Sequence, residues 1–133
     1  MLIHFHNLVG KIKNTPAQKS KIIIISTFLS FLFNLTIWGL IYFQFYPLVK
    51  NLPPELSFIP LHYNVYLGVD MFGHWQKILI LPAIGLLIFF VNTILSFLIY
   101  NKKEVLSYFL SIGSLLCQIF LIIATILTIL INI

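Results

Sequence analysis

The sequence predicts an all-α integral membrane protein: three transmembrane helices, N-in and C-out, a small extracytoplasmic loop module and an amphipathic cytoplasmic N-terminal segment. Three observations carry that prediction. Hydrophobic residues make up 60% of the chain and charged residues 8%, against roughly 45–50% and 25% in soluble domains, so too little polar surface is left to face water. The apolar residues gather in three runs of membrane length, over 22–45, 78–100 and 105–133. The net charge of +5 comes from lysines alone, and six of them flank these runs at Lys11, Lys13, Lys19, Lys21, Lys102 and Lys103. Lysine clusters beside apolar spans mark cytoplasmic ends and contacts with anionic lipid. With no arginine in the chain, the basic character does not point to nucleic acid.

Residues 1–20 interleave Leu2, Ile3, Phe5, Leu8, Val9 and Ile12 with His4, His6, Asn7, Lys11 and Lys13. That spacing gathers apolar side chains on one face of a short helix lying on the membrane surface. His4 and His6 are two apart and diverge on a helix, so they do not make a metal pair. Asn14-Thr15-Pro16 ends the segment, since proline removes a backbone donor and turns its predecessor away from helix.

The first span, 22–45, carries no charge and reads as a permanent anchor: it is longer than a signal-peptide apolar region and no small-residue cleavage site follows it. Its Asn34-Leu35-Thr36 matches a glycosylation sequon only by chance, at mid-membrane depth. Residues 46–77 form the loop. The second span, 78–100, opens with Pro82 and Gly85 in its first turns, where a missing donor costs little. Asn101-Lys102-Lys103-Glu104 is a tight return that lays the third span, 105–133, antiparallel against the second. Cys117, the single cysteine, lies within that third run, so there is no disulfide framework.

Each span carries a stripe of small and polar residues at helical spacing. On the third it is Ser107, Ser111, Ser114, Gln118, Thr125, Thr128 and Asn132; on the first Thr27, Ser30, Asn34 and Gln44; on the second Gly85, Asn92 and Ser96. In lipid such stripes turn inward, because unpaired amides are costly in hydrocarbon and small residues let backbones approach. Asn34, Asn92 and Gln118 are expected at one depth near the midplane, hydrogen-bonded to one another. The alternative to packing within the protein is that the stripes form an interface with another subunit. No Asp, Glu, Lys, Arg or His falls within a span, which argues against an ion or proton route.

The loop from Asn51 to Lys77 holds both internal histidines and two of the three acidic residues. His62, Asp70 and His74 are its acid–base candidates and its one conceivable metal set. No metal or other cofactor is expected, because a loop between two helices supplies little rigid scaffold, and no metalloprotease, nucleophile-elbow or phosphate-loop motif is present. The structural reading is a hairpin over 60–72, with Val65, Tyr66, Leu67 and Val69 of strand-like composition and with Gly68 and Gly73 permitting turns. His62, Asn64 and Asp70 would tie it together, and Trp75 and Lys77 would anchor re-entry at the interface.

Leu52-Pro53, Ile59-Pro60-Leu61-His62-Tyr63-Asn64, Gly68, Asp70, Gly73, Lys77 and the apolar run with Pro82 resemble a bacterial membrane domain that forms the N-terminal part of SdpI-type immunity proteins. The resemblance covers about residues 35–96. It implies a bacterial plasma-membrane protein whose outer loop is a folded module, and it offers Pro60, His62, Asn64, Gly68, Asp70, Gly73 and Lys77 as binding candidates, which His74 and Trp75 join from the reading of the loop itself. SdpI proteins protect cells from a secreted toxin and take part in signalling.

The expected function is that of a non-enzymatic interaction or accessory protein in the lipid bilayer, presenting the 51–77 loop to a membrane or extracellular protein, or self-associating. The rivals are an SdpI-like immunity or signalling receptor, a homo-oligomeric channel or transporter, and a metal-dependent enzyme.

Overall fold

The computed structural model describes Asn7, Gly10, residues 16–56 and residues 58–133. The amphipathic helix expected over residues 1–20, with His4 and His6, falls mainly outside the described residues. Pro16–Lys19 forms a short 3-10 turn that buries Ala17. Three long helices follow, α1 (Lys21–Val49), α2 (Trp75–Ile99) and α3 (Glu104–Leu130), each long and apolar enough to cross a membrane. At about 1.5 Å per residue, each exceeds a hydrocarbon core of about 30 Å.

α1 runs past the expected end at Phe45. Its α-helical turns from Lys21 to Leu40 widen to a π-helical stretch, Ile41–Phe45, and become α-helical again over Tyr46–Val49. Pro47 accounts for the widening: its ring crowds the carbonyl of Phe43 and it brings no N–H, and a looser i→i+5 turn relieves both. The wider turn also changes the inward-facing spacing to four, so that Ile37, Ile41, Phe45 and Val49 are all buried. Gln44, expected on the polar stripe, is exposed for the same reason.

α3 is the central element and packs extensively on both neighbours, which touch each other less. α1 and α3 are parallel, since Ser26 meets Ser111 and Asn34 meets Gln118. α2 is antiparallel to both: Ser96 meets Ser107 near the return, and Gly85 meets Gln118 farther along. The return is closed by the N–H groups of Lys102 and Lys103, both donating to Ile99 O at 2.9 Å. The Tyr100 hydroxyl donates to Glu104 Oε1 at 3.0 Å, and Tyr108 donates to the same oxygen.

The interior has two halves. Toward the lysine-bearing return the helices meet through Ser26, Ser30, Asn34, Ser96, Ser107, Ser111, Ser114 and Gln118, all buried. At the other end Ile37, Ile41, Phe45, Val49, Ile59, Ile78 and Ile129 form an apolar cluster. The outside is the inverse, with Phe28, Phe43, Leu87, Phe109 and Phe120 exposed. Polar groups inside and large apolar groups outside suit a hydrocarbon solvent, in which backbone and amide groups must find partners within the protein.

The fold is not purely helical. Between α1 and α2 lies a two-stranded antiparallel sheet, β1 (Phe58–Asn64) and β2 (Gly68–His74), two residues longer at its base than the hairpin expected over 60–72. β2 passes into α2 without a linker. Ile59 enters the apolar cluster beside Ile78 and Ile129, which seats the base of the hairpin on the helix ends. Asn132 Nδ2 donates to Pro60 O at 2.8 Å, and Thr128 Oγ1 reaches Leu61 O at 3.5 Å.

Candidate functional site

Two places carry the residues with chemistry. The first is the hairpin. Phe58 pairs with His74, Ile59 with Gly73, Pro60 with Phe72, Tyr63 with Val69 and Asn64 with Gly68. These pairs obey one register, in which His62 and Asp70 stand opposite each other. The ladder is irregular at that point, where His62 takes Met71 as its partner. Such irregularities re-aim side chains, and here His62 Nδ1 lies 2.7 Å from Asp70 Oδ1. The His62 side chain is 62% exposed and that of Asp70 30%, so the pair is solvated and adds little stability. What it does is hold an exposed imidazole in one orientation through Nδ1.

The turn is built as its residue types require. Asn64 Oδ1 accepts the N–H of Tyr66 at 2.9 Å, an Asx turn. Gly68 has φ +75°, the left-handed region that side chains disfavour. Gly73 is buried for a different reason. A Cβ there would stand 2.8 Å from Leu61 Cδ1 and 3.0 Å from Lys77 Cδ, so both side chains lie across a bare backbone. Trp75 packs on Tyr46 of α1, ring centroids 5.9 Å apart. His74 packs on Phe58, with centroids at 4.2 Å.

The structure therefore brings His62, Asn64 and Asp70 together at one end of the hairpin and places His74 at the other. Among the described residues no three of His, Cys, Asp or Glu form a metal-binding group. The exposed apex is apolar: Val65, Tyr66 and Leu67 are 84%, 94% and 77% exposed, and Phe58, Tyr63, Met71 and Phe72 are also exposed.

The second place is the polar node between the helices. Asn34 Nδ2 donates to Pro82 O at 3.1 Å and to Gln118 Oε1 at 3.2 Å, while Gln118 Nε2 donates to Gly85 O at 2.7 Å. Two acceptors on one side of Asn34 and a carbonyl facing Gln118 fix which end of each amide is nitrogen. Gly85 is the contact point: a Cβ there would stand 2.5 Å from Asn34 Nδ2, 2.8 Å from Gln118 Oε1 and 3.0 Å from Leu121 Cδ1.

Asn34 and Gln118 thus meet as expected, and Asn92 does not join them. It is only partly buried, and it lies two turns from Gly85, about 10 Å along the axis. Because α2 is antiparallel, the residue level with Asn34 and Gln118 is Gly85. Ser26, absent from the expected stripe, is buried and hydrogen-bonded to Ser111, whereas Thr27 is only half-buried. Its signal was present in the four-residue spacing of Ser26, Ser30 and Asn34. Between these layers Ser30 Oγ, Asn34 Oδ1 and Ser114 Oγ are buried without a hydrogen-bond partner.

Comparison with protein-family models, with curated proteins and with solved structures finds no match to this chain.

Proposed function

We propose that the chain is a non-enzymatic protein of the bacterial plasma membrane, N-in and C-out, that presents its hairpin to a protein partner at the outer membrane surface. The observation that carries this reading is the apolar apex of Val65, Tyr66 and Leu67, held out on a base fixed to two helices. Isolated exposed apolar residues are ordinary, but a contiguous group on a short, anchored hairpin is a contact surface. Aromatic residues presented on a rigid support lose little entropy on docking, which makes them effective anchors.

Native mass spectrometry of the tagged protein, gently extracted from its own membrane, tests the reading. The expected result is a defined heteromeric complex that is lost when Val65, Tyr66 and Leu67 are all changed to serine. A wild-type monomer, or a complex indifferent to those changes, overturns it.

A second reading is an SdpI-like toxin-immunity or signalling receptor, favoured by the fixed His62–Asp70 pair. It predicts that the chain rescues cells from a membrane-active toxin and that His62→Ala or Asp70→Ala abolishes rescue. Rescue unaffected by either change removes this reading.

A further inference from the structure

We infer that the α1–α3 seam holds one internal water molecule, bound by Ser30, Asn34 and Ser114. Three observations converge on it. The three polar atoms are the buried side-chain atoms left without a partner among the described residues, and the residues that carry them are 0%, 1% and 2% exposed. They are neighbours: Ser30 and Asn34 are successive turns of one face of α1, and Ser114 lies on the facing helix between Ser111, which meets Ser26, and Gln118, which meets Asn34. Finally, their orientation is chosen. Ser26, Thr36, Thr125 and Thr128 close their hydroxyls onto the carbonyl four residues back, the usual way a helical hydroxyl satisfies itself in an apolar setting. Ser30 and Ser114 do not.

Asn34 cannot resolve the deficit by turning its amide over. Its nitrogen is held between Pro82 O and Gln118 Oε1, and reversing it would set oxygen against both acceptors. Successive turns of a helix are about 5–6 Å apart, too far for direct contact between short side chains. A bridging oxygen with two hydrogen bonds of about 2.8 Å at a tetrahedral angle joins atoms about 4.5 Å apart, a separation that side-chain atoms on successive turns can reach.

Water also has the right polarity. Its two lone pairs take the two serine protons, and one of its protons goes to Asn34 Oδ1, giving the three bonds that buried waters typically make. A monovalent cation would need all three as acceptors and would leave both hydroxyl protons without a partner, far from any carboxylate.

The test uses the full chain in lipid nanodiscs. Water-to-protein NMR cross-relaxation is expected at the Asn34 side-chain amide, with the negative sign of a long-lived bound water. Thermal midpoints supply an independent arm. Ser30→Ala and Ser114→Ala are each expected to lower the midpoint by a few degrees, and the double variant by no more than the worse single one, because both hydroxyls hold the same molecule. Three results overturn the inference: no water contact at Asn34 under conditions where the exposed Asn101 amide shows exchange with solvent; single alanine variants as stable as the parent; or a midpoint that rises with sodium but not with potassium or choline, which would assign the site to an ion.

Discussion

Gly85→Ala tests the polar node most directly, because one methyl group is set against three hydrogen bonds. The new Cβ would stand 2.5 Å from Asn34 Nδ2 and 2.8 Å from Gln118 Oε1, closer than such atoms can approach. Neither amide is the free end of a flexible chain: Asn34 is held by Pro82 O and Gln118 Oε1, and Gln118 by Gly85 O. Relieving the clash therefore breaks these contacts, each worth about 0.6–2 kcal/mol in a membrane interior. The loss comes to about 2–6 kcal/mol, offset by about 1 kcal/mol from replacing glycine in a helix. A net destabilisation of about 1–5 kcal/mol follows. Gly113→Ala is the matched control in α3, where a Cβ meets nothing within 4 Å and only the helix-propensity gain remains. Reversible unfolding by sodium dodecyl sulfate in mixed micelles, followed by circular dichroism, measures both. Asn34→Ala should partly rescue Gly85→Ala by vacating the space. If Gly85→Ala proves as harmless as Gly113→Ala, the node is not packed as described and the argument fails.

Other outcomes follow from the same geometry. Gln118→Leu should destabilise by about 1–3 kcal/mol, because it removes the acceptor facing Asn34, while adding Asn34→Leu should cost less than the two single changes together; the same unfolding assay reads the coupling. Gly68→Ala meets no steric obstacle but must hold φ +75°, a cost of about 1–2 kcal/mol confined to the hairpin. Faster amide hydrogen exchange over 58–74 with unchanged exchange in α3 would show it, and equal exchange would refute it. Asn132→Ala removes the donor to Pro60 O and should speed exchange at the base of β1 before the apex changes.

What was legible in the sequence follows from the period of each element. α3 is regular throughout, so alternate steps of three and four picked out Ser107, Ser111, Ser114, Gln118, Thr125 and Thr128, every one of them buried. The hairpin was legible only in outline: Val65, Tyr66 and Leu67, read as strand from their composition, form the turn, because Asn64 closes on the Tyr66 N–H and Gly68 takes φ +75°, while Gly73, read as a turn residue, lies within β2. α1 was read less well because Pro47 unwinds a turn before it, and the phase of the buried face is lost beyond Leu40. That loss put Gln44 inside and ended the helix early. Asn92 was misplaced for a different reason. Residue type marked it as a partner for Asn34 and Gln118, but depth in an antiparallel pair depends on where the return falls, and that brings Gly85 level instead. A glycine offers no polar signal, so its carbonyl, the acceptor for Gln118, was invisible as a chemical group in the stripe.

The base of the hairpin is tied to two helices at once, with Ile59 of β1 packed beside Ile78 of α2 and Ile129 of α3. β2 continues into α2 through the peptide bond between His74 and Trp75, and β1 is also held by Thr128 of α3 at Leu61 and by Asn132, just past the end of α3, at Pro60. A change in the angle at which α2 crosses α3 therefore works directly on the base of the hairpin, where both helices meet β1. The hairpin is thus a clip across the ends of these two helices, holding them at one spacing.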